Sequence, residues 1–286
     1  MPDIQRVGVV GAGLMGSGIA EVHARAGIDV AVTEVSKPAL DAGRARIEKS
    51  LQRGVRSGKL AAEDADAALA RITFTTDLDA FADRDLVVEA VLEQEQAKVE
   101  VFRSLDKVVE REDAILASNT SSIPIMKLGM ATDRPQQVIG IHFFNPVPVL
   151  PLVELVPSLL TGDKTAERAD AHVAGALGKT VIRSQDRAGF IVNALLVPYL
   201  LSAIRMFESG FASAEDIDHG MEKGTAHPMG PLRLADLIGL DTIKAIADSM
   251  YAEFKEPLYS SPPLLLRMVD AGLLGKKTGR GFYSYE

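Results

Sequence analysis

The sequence predicts an α/β fold in two parts: a Rossmann-like doubly wound sheet over residues 1–186, then a smaller all-helical C-terminal domain over 187–286. Three observations carry this. Short apolar runs alternate with helical periodicity as far as Ile182, as parallel strands joined by crossover helices do. The first run, Val7 to Val10, leads into GAGLMG, a spacing that suits a strand, a tight turn and a helix whose first N–H groups face a pyrophosphate. Beyond Gly189 the strand signals stop, and leucine-rich helical segments begin with FIVNALLVPYLLSAIRMFESG.

In the first unit, Gly11 permits the turn, Gly13 the close approach of phosphates, and Gly16 the close approach of helix to strand. Leu14 and Met15 lie on the same cofactor-binding turn. A second strand, Ile28 to Thr33, ends at Glu34, near the ~20-residue offset of an acid that binds the adenosine ribose. A carboxylate there accepts hydrogen bonds from both ribose hydroxyls and repels a 2′-phosphate, which favours NAD over NADP. Ser36 and Lys37 follow directly and could offset that repulsion, so NADP stays open.

Composition narrows the classes. With 47% hydrophobic and 24% charged residues the chain suits a soluble protein with ample core. The absence of cysteine excludes disulfides and cysteine nucleophiles and fits a reducing, cytoplasmic setting. Five histidines without an HExxH cluster give no support to a metal site. A net charge of -8 disfavours nucleic acid. No apolar run reaches the ~18 residues of a membrane span, and the first strand starts almost at once, so no signal peptide is expected.

Lys37 to Leu60 reads as a basic helix. Arg46, Lys49, Arg53 and Arg56 share one face, with Lys59 just beyond. That face serves equally as a solvated surface or as a platform for a phosphorylated substrate handle. Strands follow at Ile72 to Thr75, Leu86 to Ala90 and Ile115 to Ser118, with a charged helix from about Gln94 to Glu110. Two strand ends are rich in chemistry. The first places Glu89, Ala90, Glu93 and Lys98 near the expected cleft; the second presents Ser118, Asn119, Thr120, Ser121 and Ser122. The hydroxyl cluster can bind a polar substrate or cap the next helix.

The segment VIGIHFFNPVPVLPLVELV closes a strand at His142, with Asn145 three residues on and Glu154 in a second apolar run. Pro146, Pro148 and Pro151 oppose a helix and favour a folded-back path that could bring Glu154 to His142. Imidazole can take a proton from an alcohol as hydride leaves its carbon. A carboxylate on the other ring nitrogen would fix the tautomer. A helix and a strand, Thr180 to Ile182, complete this part. In the second part, Asn193 sits within an apolar helix and needs a partner, either substrate or a neighbouring backbone group. His219 and His227 lie among glycine and proline and read as turn residues, and the tail should pack Phe282, Tyr283 and Tyr285 onto the domain or a partner subunit.

Taken together, GAGLMGSGIA, DLVVEAVLE, SNTSS, IHFFNPVPVLPLVELV, DRAGFIVNALLVPYL, HPMGPLRLADLIGLD and GKKTGRGFYSY resemble the L-3-hydroxyacyl-CoA dehydrogenase family, in its short stand-alone bacterial 3-hydroxybutyryl-CoA form, over essentially the whole chain. The resemblance implies reversible, NAD-dependent oxidation of a short-chain (S)-3-hydroxyacyl-CoA. It implies His142 as base, Glu154 as its partner, Ser121 and Asn193 on the substrate, and Asn145 holding the arrangement. It adds Glu93, Lys98, Ala90 and Asn119 to the cofactor site and Ser50 to the coenzyme A site. A family lysine is Ser57 here, which shifts the ionic contact toward Arg56 or Lys59, or removes it; Leu232 replaces a common phenylalanine. A homodimer through the C-terminal domain is also implied. Competing readings are a relative acting on a free sugar acid or carrier-bound hydroxyacid, and a non-catalytic crystallin-type NADH-binding protein.

Overall fold

The computed structural model describes residues 4–285. The chain divides into two compact units, Met1–Asp186 and Arg187–Glu286. The first is built on one eight-stranded sheet of order β3-β2-β1-β4-β5-β6-β7-β8. Strands β1 (Arg6–Val10), β2 (Asp29–Thr33), β3 (Ile72–Thr75), β4 (Leu86–Glu89), β5 (Ile115–Ser118) and β6 (Val138–Phe143) pair in parallel. Helices α1 (Leu14–Arg25), α2 (Lys37–Arg56), α3 (Ala62–Ala70), α4 (Glu95–Val108) and α5 (Ile125–Gly129) fall between them. The central strands β4, β5 and β6 are buried at every position, which is why they read as unbroken apolar runs rather than alternating ones.

The parallel pattern breaks once. β7 (Leu152–Pro157) returns antiparallel to β6, and β8 (Thr180–Arg183) follows α6 (Asp163–Ala171) to lie parallel to β7. The prolines between β6 and β7 forbid a crossover helix, so the chain turns back within eight residues and pairs with the strand it has just left. Asp186, at the end of this unit, accepts the N–H groups of Ile125 and Met126 and so caps α5.

The glycine turn is packed from both sides. A side chain on Gly16 would fall 1.8 Å from the Gly11 carbonyl oxygen, and one on Gly43 of α2 would fall 2.3 Å from the Ala12 β-carbon. Gly11 has φ +95°, a conformation open to glycine. Behind the turn, α1 buries His23, whose ring stacks on His172 with centroids 5.2 Å apart.

The second unit consists of α7 (Val192–Glu208), α8 (Ala214–Gly224), α9 (Pro231–Ile238), α10 (Leu240–Phe254) and α11 (Pro263–Asp270) around Leu200, Leu201, Ile204, Leu232, Leu240, Ile243 and Met250. Two buried carboxylates organise it. Asp218 accepts the N–H groups of Leu232 and Arg233 at the start of α9 and the Tyr283 hydroxyl. Asp236 accepts the N–H groups of Phe282 and Tyr283 and the Tyr285 hydroxyl. The tail aromatics are thus held to the helices of their own unit, with Phe282 edge-on to Phe207 at 5.6 Å.

Candidate active site

The carboxyl ends of β2, β1, β4, β5 and β6 lie side by side, and they carry the candidate residues in that order. Glu34 follows β2. Its Oε1 accepts the Ala12 N–H at 2.8 Å and its Oε2 the Val35 N–H at 3.1 Å, which locks the acid against the glycine turn. Arg46 braces that turn from α2 by donating to the Ala12 carbonyl at 3.0 Å. A β-carbon on Gly13 would meet nothing within 4 Å, and Gly13 caps α1 without a side-chain hydrogen bond. Gly13 therefore leaves open space beside the first-turn amides of α1, including those of Leu14 and Met15, which are the donors a pyrophosphate needs.

Next along the sheet, Glu89 ends β4 fully buried. Its carboxylate accepts the Lys98 ammonium at 2.6 Å, the Val91 N–H at 2.7 Å and the Ser118 hydroxyl at 2.6 Å. Lys98 also pairs with Glu93 at 3.1 Å. Glu93 in turn receives the Thr120 hydroxyl, the Ser121 N–H at 2.9 Å and the Ser122 hydroxyl at 3.1 Å. Burial alone would raise the Glu93 pKa; the Lys98 ammonium and these hydrogen bonds outweigh it and hold the carboxyl below its ordinary value.

The hydroxyl cluster does not cap α5, whose cap is Asp186. Instead, Thr120 Oγ1 accepts from Ile123 N–H and closes the cluster's own turn. That leaves Ser121, half-buried, oriented by Glu93. Asn119 links the strand ends: its N–H donates to the Glu89 carbonyl and its side-chain oxygen accepts the Phe143 N–H, each at 2.9 Å.

On β6, His142 is directly opposite Glu154 of β7 in the antiparallel register. Facing residues of such a ladder project to the same side. His142 Nδ1 donates to Glu154 Oε2 at 2.7 Å, with both side chains buried. This tautomer puts the ring's lone pair on Nε2. Phe144 tilts against the imidazole at 4.6 Å between centroids. Asn145 and Ala90 lie on the same side of the sheet's ends, Asn145 exposed just beyond β6 and Ala90 just beyond β4, where its N–H donates to the Val10 carbonyl.

The basic face of α2 is less uniform than its spacing suggests. Arg46 is committed to the glycine turn. Ser50 lies near Glu21, a carboxylate buried in α1 whose pKa is raised by burial and lowered in part by Ser50, Arg25 and Arg53. Arg56 instead lines a groove between α2 and α3 beside Glu48 and Asp66, and Lys59 is exposed past the helix end. Glu21 was missed in the sequence, although a lone acid within GIAEVHA signals it. Asn193 lies buried in the first turn of α7 in the second unit. Among the described residues no cluster of three or more His, Asp or Glu could hold a metal ion, and no helix is long and apolar enough to cross a membrane.

A dinucleotide cradle on one side of a sheet and a carboxylate-steadied histidine on the other make the first unit that of a nicotinamide-dependent dehydrogenase. The comparisons specify which. Residues 6–187 match the 3-hydroxyacyl-CoA dehydrogenase NAD-binding domain and residues 189–285 its C-terminal domain. The chain is 63% identical over 282 residues to the 3-hydroxybutyryl-CoA dehydrogenase of Mycobacterium tuberculosis, covering 99% of each. It is 42% identical over 290 residues to the mitochondrial hydroxyacyl-coenzyme A dehydrogenase of Homo sapiens, covering 99% of this chain and 92% of that one. The crystal structure of (S)-3-hydroxybutyryl-CoA dehydrogenase from Ralstonia eutropha superposes with a TM-score of 0.93 at 45% identity, covering 99% of each chain. The chain belongs to the 3-hydroxyacyl-CoA dehydrogenase family, an NAD-binding oxidoreductase family.

Proposed function

We propose that this protein interconverts (S)-3-hydroxybutyryl-CoA, or a closely related short-chain 3-hydroxyacyl-CoA, and the corresponding 3-oxoacyl-CoA. The observation that carries the reading is the 2.7 Å contact between His142 and Glu154 at the end of the cofactor-binding sheet. Bound NAD supplies the hydride acceptor. In oxidation, His142 Nε2 takes the C3 hydroxyl proton, and Glu154 stabilises the imidazolium; in reduction, the same ring returns the proton. Ser121 is anchored by its backbone N–H on Glu93, and its hydroxyl turns from the long 3.4 Å contact with that carboxylate to donate to the substrate oxygen. Asn193 orients the substrate, and Asn145 helps hold the catalytic arrangement. Glu34 and the glycine turn hold the adenosine ribose and pyrophosphate, while Ala90, Glu93, Lys98 and Asn119 line the nicotinamide side.

Ser50, Arg56 and Lys59 are the coenzyme A contacts in this reading, with Arg53 added by its place beside Glu21 and Ser50. The second unit supplies substrate contacts and a homodimer face. Exposed Leu195 and Met206 of α7 and Phe211 just beyond it support the latter. The enzyme is taken to be cytoplasmic. The test is NADH oxidation with acetoacetyl-CoA and 3-oxoacyl-CoA substrates from C4 to C16, repeated with NADPH, and NAD reduction with L-gulonate as the free sugar acid. The expected result is highest kcat/KM for C4 with NADH. Turnover of the sugar acid alone, or NADH binding without turnover, would overturn the reading.

A further inference from the structure

The sheet order fixes where each end of an extended dinucleotide must run. Glu34 marks the adenosine end at β2, the glycine turn marks the pyrophosphate at β1, and His142 marks the reacting end at β6. Between the turn and the histidine stand the ends of β4 and β5; Glu89 ends β4, Glu93 follows on the loop and Lys98 comes from α4, and the three form one array. The residue after Glu89 packs on the turn, because a side chain on Gly11 would meet the Ala90 carbonyl at 2.7 Å. The array reaches the histidine strand through Asn119.

Its charges do not cancel. One ammonium, 1% exposed, is shared by two carboxylates. Every contact that Glu89 makes comes from an amide, an ammonium or a hydroxyl, and Glu93 is likewise surrounded by donors. Both acids are therefore hydrogen-bonded as acceptors, as ionised carboxylates are. Two negative charges against one positive leave an excess of one negative charge, with Glu89 and Lys98 buried and the Glu93 side chain 34% exposed at the edge of the array. The oxidised nicotinamide ring is a cation and the reduced ring is neutral.

We propose that the Glu89–Lys98–Glu93 array is a redox-state discriminator, binding the oxidised cofactor more tightly, relative to the reduced one, than the same site would without its excess charge. This rests on the dehydrogenase reading for the identity of the cofactor. It concerns binding alone, so it is tested without any acyl-CoA.

The experiment measures the dissociation constants of NADH by fluorescence and of NAD by competition, for the wild type and for Glu93→Gln, Glu93→Asp and Glu89→Gln. Glu93→Gln keeps an oxygen acceptor and removes the charge. It should raise the ratio of the NAD to the NADH dissociation constant by about tenfold. Glu93→Asp keeps the charge while moving the Ser121 contact, and should leave the ratio within twofold even if turnover falls. Glu89→Gln should move the ratio in the same direction as Glu93→Gln. Should that buried variant fail to fold, the partly exposed Glu93 pair decides. An unchanged ratio in Glu93→Gln, with both cofactors weakened equally, would overturn the proposal, as would an equal change in Glu93→Asp. Absence of acetoacetyl-CoA reduction by the wild type, with the ratio behaving as expected in the variants, would instead count against the substrate reading only.

Discussion

Glu154 meets His142 because the β6–β7 ladder sets them opposite each other, so the contact is a property of strand register rather than of a flexible loop. A slip of one residue would send the carboxylate to the other face of the sheet. Removing one partner of this buried hydrogen bond leaves the other unsatisfied, at about 1–3 kcal/mol, so the conservative replacement is the informative one. Glu154→Gln should reduce kcat at least about 30-fold while leaving the NADH dissociation constant within twofold. His142→Gln should reduce kcat at least about 100-fold, the scale of a lost general base. Stopped-flow turnover and fluorescence titration check both, and near-normal turnover in His142→Gln would reject the assignment.

Much of this site was legible from residues alone. The three prolines after His142 announced a fold-back, and the strand, glycines, helix and acid announced the cofactor side. What could not be read was register. Nothing local distinguishes a pairing of residue 142 with 154 from one with 153 or 155, since β7 is apolar on both faces apart from Glu154. Helical spacing had a similar blind spot. It grouped Arg46, Arg53 and Arg56 on one face, but their partners come from different elements: the Ala12 carbonyl, the acid of α1, and the groove toward α3.

That division of the basic face gives a direct comparison. Arg53 acts near Ser50 and Glu21, whereas Arg56 lines the groove that Glu48 and Asp66 also line. Arg53→Ala should raise KM for acetoacetyl-CoA about threefold, the scale of an exposed ionic contact, with kcat preserved. Arg56→Ala should change it less. Steady-state kinetics at low and high ionic strength separates them, and a larger effect at Arg56, fading with salt, would return the handle to the end of α2.

Cofactor choice is similarly exposed to test. Glu34 is held by two backbone N–H groups, while the neighbours that could have welcomed a 2′-phosphate are otherwise engaged. Ser36 Oγ accepts the Ala39 N–H at the start of α2, and Lys37 pairs with Asp41 at 3.6 Å. Glu34→Ala should raise KM for NADH about tenfold, through lost charge-assisted hydrogen bonds to the ribose. KM for NADPH should fall relative to it as the repulsion disappears. If the NADH to NADPH preference of Glu34→Ala equals that of the wild type, the acid does not set selectivity.

The stacked pair His23 and His172 makes stability sensitive to acid. Burial drives the His23 pKa down to about 4, against a smaller opposing effect of its hydrogen bond to the Ile19 carbonyl. Burial and then the nearby His23 drive His172 down to about 3. His23 Nε2 and both ring nitrogens of His172 have no hydrogen-bond partner among the described residues. Both rings titrate near 6.5 when unfolded, so between about 6.5 and about 3 the unfolded chain binds protons that the folded chain refuses. Stability is therefore greatest above pH 6.5 and falls as the pH drops through that window, by on the order of 2 kcal/mol per ring at pH 5. The rings form part of the packing behind α1, so the replacement must keep their bulk. His172→Phe should flatten the decline in Tm between pH 7 and pH 5 relative to wild type, even if Tm at pH 7 changes. Thermal unfolding followed by circular dichroism at half-unit pH steps would measure it. Parallel curves for the two proteins would show that these rings do not drive the acid sensitivity.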